Sequence, residues 1–135
     1  MTYALDTNII SFMLKRNEHI INSYRHANNE GHIFVIPVVA YYEIRRGLLA
    51  VDATVQMQAF MKLCNTFDVV EMSVSSWEKA AEIWAILRKN GTPIGKDDGD
   101  IFIAAQCIVG GFTLVTDNIG DFERIDELNF ISWSR

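Results

Sequence analysis

Apolar residues fall along this chain in two alternating styles. Short β-branched or aromatic runs read as strands: Tyr3-Ala4-Leu5, Ile33-Phe34-Val35-Ile36, the alternating residues 67–72, Thr113-Leu114-Val115-Thr116, and Phe130-Ile131-Ser132-Trp133. Between them, apolar residues recur at three- and four-residue steps and predict helices over about residues 9–15, 18–28, 38–49 and 54–64. A further helix, capped by Ser75-Ser76, carries Trp77, Ala80, Ala81, Trp84 and Leu87 and stops at Asn90-Gly91. Residues 101–109 are almost wholly apolar, which predicts a helix buried on most sides and ended by Gly110-Gly111. Pro37 closes the second strand, and residues 92–99 form a loop.

Strands alternating with helices predict β-α-β units, hence an α/β fold whose mostly parallel sheet is covered by helices on both faces. No repeat, low-complexity tract or linker divides the chain, and residues 1–135 read as one domain. Half of the residues are hydrophobic and 21% are charged, which excludes a disordered chain. The apolar runs are too short to span a bilayer, so no membrane role is expected. The N-terminus reaches Asp6 without a basic region and does not read as a signal peptide. Cys64 and Cys107 lack a C-x-x-C spacing, and a reducing cytoplasm is the expected compartment.

The net charge of −5 argues, taken alone, against a basic nucleic-acid-binding surface. Its distribution is more informative. Residues 1–96 hold 10 bases and 9 acids, whereas residues 97–135 hold 8 acids and 2 bases.

Parallel sheets bind ligands at the carboxyl ends of their strands. Asp6 follows the first strand, Glu43 lies about two turns into the helix after the second, and Asp117 and Asn118 follow the fourth. Asp100 opens the buried helix that leads into that fourth strand. Each has a plainer reading. Asp6 and Asp100 are candidate helix caps, Asp117-Asn118 a candidate turn, and Glu43 a candidate exposed acid, although Ala40 and Gly47 around it form a small-residue groove. The combination carries more weight than its parts. Gathered carboxylates repel, and a cation relieves them. Oxygen-only donors favour Mg²⁺ or Mn²⁺ over zinc. Such a site hydrolyses phosphodiesters in line. No Ser-His-Asp or Cys-His arrangement and no phosphate loop competes.

The same residues carry a resemblance to the PIN domain. Leu5-Asp6-Thr7-Asn8-Ile9-Ile10 is similar to that family's opening. Ala40-Tyr41-Tyr42-Glu43-Ile44-Arg45-Arg46-Gly47 resembles its second acidic motif. Gly91-Thr92-Pro93-Ile94-Gly95 with Asp100-Ile101-Phe102-Ile103-Ala104-Ala105 resembles the third. Leu114-Val115-Thr116-Asp117-Asn118, then Asp121-Phe122-Glu123-Arg124-Ile125 and Trp133, resembles the closing segment. The resemblance covers nearly the whole chain and points to the VapC-type toxins of bacterial toxin–antitoxin pairs. It implies a three-layer α/β/α PIN-like fold and a Mg²⁺-dependent endoribonuclease, with Mn²⁺ as the other candidate ion, acting on tRNA or rRNA. It further implies a VapB-type antitoxin partner and a homodimer or toxin–antitoxin hetero-oligomer. Asp6, Glu43 and Asp100 would be the metal-binding acids, with Asp117 or Asn118 as the fourth site residue. Two departures stand out. Asp97 and Asp98 crowd Asp100 after a loop about two residues longer than usual, and Asn118 stands where the family has an acid.

Among the bases, Arg46 and Lys96 are candidates for guiding RNA phosphates, against the plainer reading of solvated charge; Arg45, Arg88 and Lys89 lie nearby. Ile9, Ile10, Phe12, Met13 and Leu14, with Tyr41 and Tyr42, serve the core or in part a partner helix or second copy. Two other classes are weighed. A phosphatase with Asp6 as nucleophile needs a second Asp where Asn8 stands. A degenerate PIN module that binds RNA or protein without cutting would not need its acids intact.

Overall fold

The computed structural model describes residues 1–95 and 97–133. Its elements follow the predicted alternation: β1 (Thr2–Leu5), α1 (Thr7–Leu14), α2 (Glu18–Asn29), β2 (Ile33–Pro37), α3 (Val38–Ala50), α4 (Thr54–Thr66), β3 (Asp68–Val70), α5 (Val74–Lys89), α6 (Gly99–Gly110), β4 (Thr113–Thr116), α7 (Ile119–Phe122) and β5 (Phe130–Ser132). The described strands form one sheet in the order β3-β2-β1-β4-β5. Every neighbouring pair is parallel, with Tyr3 in register with Phe34 on one side and Thr113 on the other.

That strand order has a consequence for the site. The chain builds outward from β1 through β2 to β3, then returns to place β4 on the opposite side of β1. The order therefore reverses between β1 and β4, and the carboxyl ends of those two strands flank the resulting crevice. All four residues of β4 are buried, as are three of four in β1 and four of five in β2. Continuous rather than alternating burial means that helices cover both faces, which is the three-layer α/β/α arrangement.

Ile9, Ile10, Ile20, Ile36, Phe60, Ile103, Leu114, Val115 and Phe122 are fully enclosed at the centre of the core. The α1 apolar residues are thereby accounted for in large part. Ile9 and Ile10 are core residues, and Phe12, Met13 and Leu14 pack against it. Tyr41 packs on Phe60 at 5.7 Å between ring centroids. Helix α6 is buried almost all round, as its apolar run predicts. It stops at Gly111, which takes the left-handed conformation (φ 72°) that glycine adopts without steric penalty. No helix among the described residues is long and apolar enough to cross a membrane.

Several boundaries differ from the sequence expectation, each for a local reason. The predicted strand over residues 67–72 shortens to Asp68–Val70. Its next backbone carbonyls are taken instead by the buried Gln106, whose amide donates to Val70 O at 2.6 Å and Glu71 O at 3.1 Å. Helix α5 is capped by Ser73, not Ser75-Ser76: the Ser73 hydroxyl accepts from the Ser76 amide at 3.1 Å. Helix α6 begins at Gly99, so Asp100 lies in its first turn and is not its cap. The one-turn helix α7 is too short to show any periodicity and was not predicted.

Candidate active site

Four of the predicted residues, Asp6, Glu43, Asp100 and Asn118, line a single cleft of about 460 Å³ at the β1/β4 crevice. Four separate elements deliver them. Asp6 ends β1 and caps α1; its Oδ1 accepts from the Thr7 amide at 2.8 Å. The capping role and the site role therefore coexist. Its Oδ2 accepts from the Thr116 hydroxyl at 2.7 Å, a buried bond that joins the ends of β1 and β4. Thr116 Oγ1 in turn accepts from the Asn118 backbone N–H at 2.9 Å.

Glu43 reaches the cleft from α3. It is not the fully exposed acid of the plainer reading, since its side chain is only 20% exposed. Its Oε1 accepts from the Thr7 hydroxyl at 2.8 Å. Its Oε2 lies 3.8 Å from Arg46 Nη2. A Cβ placed on Gly99 would stand 3.0 Å from that same Oε2, so the start of α6 approaches Glu43 over a position with no side chain. The Gly47 predicted to open a groove also lines the cleft.

Asp100 enters from α6 and is half-buried. The Asn118 amide bridges it to Asp121, donating at 3.5 Å to Asp100 Oδ2 and at 3.1 Å to Asp121 Oδ2. Gly95, with φ 69°, turns the preceding loop so closely that a Cβ there would meet Asp100 Oδ2 at 3.3 Å. Arg124 ties that loop down by donating to the Pro93 carbonyl at 3.1 Å. Asn118, not its neighbour Asp117, lines the cleft; the Asp117 amide donates to Asn8 Oδ1 at 3.3 Å. Asn8 thus holds a backbone group at the position where an aspartate phosphatase needs a second acid. Lys96 lies outside the described residues, and Arg46 sits half-exposed beside Glu43.

The electrostatics follow from this crowding. Burial pushes the Asp6 carboxyl up to about 6, against the opposing hydrogen bonds from Thr116 and Thr7, and repulsion from Glu43 adds to the rise. Burial, then repulsion from Asp6, Asp121, Glu43 and Asp97, pushes Asp100 up to about 7. Asp121 is therefore part of the acidic group. The donors offered to the cleft are oxygens, the set that suits a hard divalent cation. Among the described residues no three Asp, Glu, His or Cys side chains form a ready-made cage.

Thr7, Thr116, Gly95, Gly99 and Asp121 were not singled out as site residues by the sequence reading. Thr7 follows Asp6 directly and Thr116 precedes the Asp117-Asn118 pair, so both lie inside the motifs that carry those residues. Nothing in the sequence marks which acid Gly99 or Gly95 would approach.

Carboxylates at the switch point of a parallel sheet, delivered from the end of β1, from α3 and from α6, with the Asn118 side-chain amide after β4, define an acid-lined cleft. Residues 3–128 match the family model of the PIN domain, and the chain belongs to that family. Over its full length it is 29% identical to Ribonuclease VapC1 of Haemophilus influenzae, with both chains covered completely. It is 25% identical to the tRNA(fMet)-specific endonuclease VapC of Shigella flexneri, with 99% of each covered. Among solved structures it resembles a chain of VapBC2 from Rickettsia felis, a complex bound to a DNA fragment from its promoter. There the TM-score is 0.87 and the identity 25%, over 99% of this chain and all of the other. In line with these relatives the chain is a nuclease, a hydrolase of phosphodiester bonds.

Two outcomes are expected of the site. Asp6 holds its proton more tightly folded than unfolded, so its contribution to stability is full below about pH 4 and is lost as pH rises through 6. In metal-free buffer, urea denaturation should therefore show Asp6 removing roughly 1 kcal/mol between pH 5 and 7.5, a loss that Asp6→Asn abolishes. An equal pH dependence in both proteins would show that Asp6 is not under this strain. Gly99→Ala keeps α6 but crowds Glu43, so nuclease activity should fall about tenfold or more with the melting temperature held within a few degrees. Unchanged activity would mean that the Glu43 position is not critical.

Proposed function

We propose that this chain is a Mg²⁺-dependent endoribonuclease, the toxin of a VapBC-type pair, with Mn²⁺ as an alternative ion. The observation that carries the proposal is the convergence of Asp6, Glu43, Asp100 and Asn118 on one cleft, where two of the carboxyls are driven up by burial and mutual repulsion. The names of the relatives support RNA as the substrate, and one of them names a tRNA. The VapBC2 complex of Rickettsia felis that it resembles supports a VapB-type antitoxin as the neutralising partner. On this reading residues 1–135 act as one domain, alone as a homodimer or within a toxin–antitoxin assembly. The cytoplasm, where RNA and antitoxin meet, is its place of action.

Each acid has a defined part. Asp6, Glu43 and Asp100 would hold the ion, and Asn118 would serve as the fourth site residue through the hydrogen bond of its amide to Asp100. Asp6 is immobilised by Thr116 and by the α1 amide, and Glu43 by the Thr7 hydroxyl, so ligand positions are fixed before the cation arrives. Divalent cations supply Lewis-acid neutralisation of the phosphodiester and of the leaving oxygen. The bound cation also reverses the local negative charge that would otherwise repel RNA. Arg46 at the rim of the cleft, with Lys96, would steer the phosphates inward.

Asp6→Asn keeps one acceptor oxygen for the α1 cap but removes the charge and the second acceptor, to which the Thr116 hydroxyl donates. It and Asp100→Asn should each lower cleavage of cellular RNA, read by 5′-end mapping, by about 100-fold or more while leaving the circular dichroism spectrum unchanged. EDTA should have the same effect on the unaltered chain. Cleavage that persists in Asp6→Asn with EDTA present would overturn the mechanism.

A further inference from the structure

A second depression, of about 310 Å³, opens on the other side of Glu43. Glu43 lines both it and the catalytic cleft, Arg46 lines it beside Glu43, and Val38, Tyr42, Trp77 and Phe102 give it an apolar lining. Tyr42 and Trp77 remain 58% and 47% exposed, although both are large aromatics placed on well-formed helices. The Trp77 ring is set edge-on by Phe102, with centroids 4.9 Å apart and planes at 72°. The Arg46 guanidinium lies over the Tyr42 ring, 5.0 Å from its centroid. Asp97 and Asp98 complete the lining.

We propose that this groove is a nucleobase subsite, seating one unstacked base of a single-stranded RNA beside the phosphate that enters the cleft. The inference rests on the ribonuclease reading above and names how that site would hold its substrate. Three features favour a base over other occupants. Aromatic faces and a guanidinium are the surfaces on which unpaired bases stack in RNA recognition. The acids Asp97, Asp98 and Glu43 disfavour a phosphate in the groove but accept hydrogen bonds from amino and imino groups on a base edge. Glu43 lines both the groove and the cleft, so the two lie side by side and neighbouring parts of one nucleotide chain reach both. The base turns inward, and its phosphates follow Arg46 toward the acids.

The test uses a hexanucleotide RNA containing 2-aminopurine, whose fluorescence is quenched by stacking, bound to the Asp6→Asn chain so that it stays uncut. Tyr42→Ala and Trp77→Ala, made in that background, should weaken binding roughly ten- to a hundredfold each and relieve the quench. Tyr42→Phe and Trp77→Phe should restore both. In the cleaving chain the alanine variants should raise KM more than they lower kcat. Unaltered affinity and quench in the alanine variants, while the parent chain still cuts RNA, would overturn the subsite and leave the nuclease reading intact. So would a Trp77→Ala chain that only changes from dimer to monomer in sedimentation, which would assign the groove to a second copy. A parent chain that neither binds nor cuts RNA would overturn both.

Discussion

The hydrogen bond from Thr116 to Asp6 holds the functional end of this protein together. It crosses the line where the strand order reverses, joining the carboxyl ends of β1 and β4, which are 110 residues apart in sequence. Asp6 is 3% exposed, so its carboxylate is stripped of water and needs donors in return. Thr116 and the first amide of α1 supply them. They do not supply enough: the Asp6 carboxyl still rises to about 6 and that of Asp100 to about 7. The fold thus assembles acids that are unfavourable as they stand, and on the proposed reading that imbalance is the affinity offered to a cation.

The rest of the sheet serves this arrangement. Parallel pairing brings every strand's carboxyl end to one edge, and burial on both faces keeps that edge rigid. Helices α3 and α6 then approach the same point from different crossovers. At Gly99 they approach over a position with no side chain, where a Cβ would crowd the Glu43 carboxylate at 3.0 Å. Net charge alone was a poor guide to this chemistry. The acidic tilt of residues 97–135 includes Asp97, Asp100 and Asp121, all of which contribute to the field at the cleft.

Much of this was legible in the order of residues, because it depends on local pattern. The strands, the long helices and the burial of α6 follow from apolar spacing, and the carboxyl-end rule picks out Asp6, Glu43 and the Asp117-Asn118 pair, with Asp100 at the start of the buried helix, without deciding between Asp117 and Asn118. The features that were not legible depend on tertiary proximity. Asp121 looks like a surface acid until α7, a helix of one turn, folds it onto Asn118. The truncation of β3 required Gln106, which is 36 residues from Val70, to take its carbonyl. Tyr41 and Tyr42 are adjacent and similar in sequence, yet one packs on Phe60 and the other faces the groove beside Glu43. Which neighbour is buried depends on the angle at which α3 meets α4, and helical spacing alone does not set that angle.

The central claim, that Asp6 and Asp100 keep protons which a divalent cation replaces, is tested most directly by calorimetric titration of Mn²⁺ at pH 6.5 in buffers of different ionisation enthalpy. The account predicts binding with release of a substantial fraction of a proton per ion, falling toward zero by pH 8.5 and diminished in Asp100→Asn. Binding with no proton release at pH 6.5, or no binding at all, would contradict it.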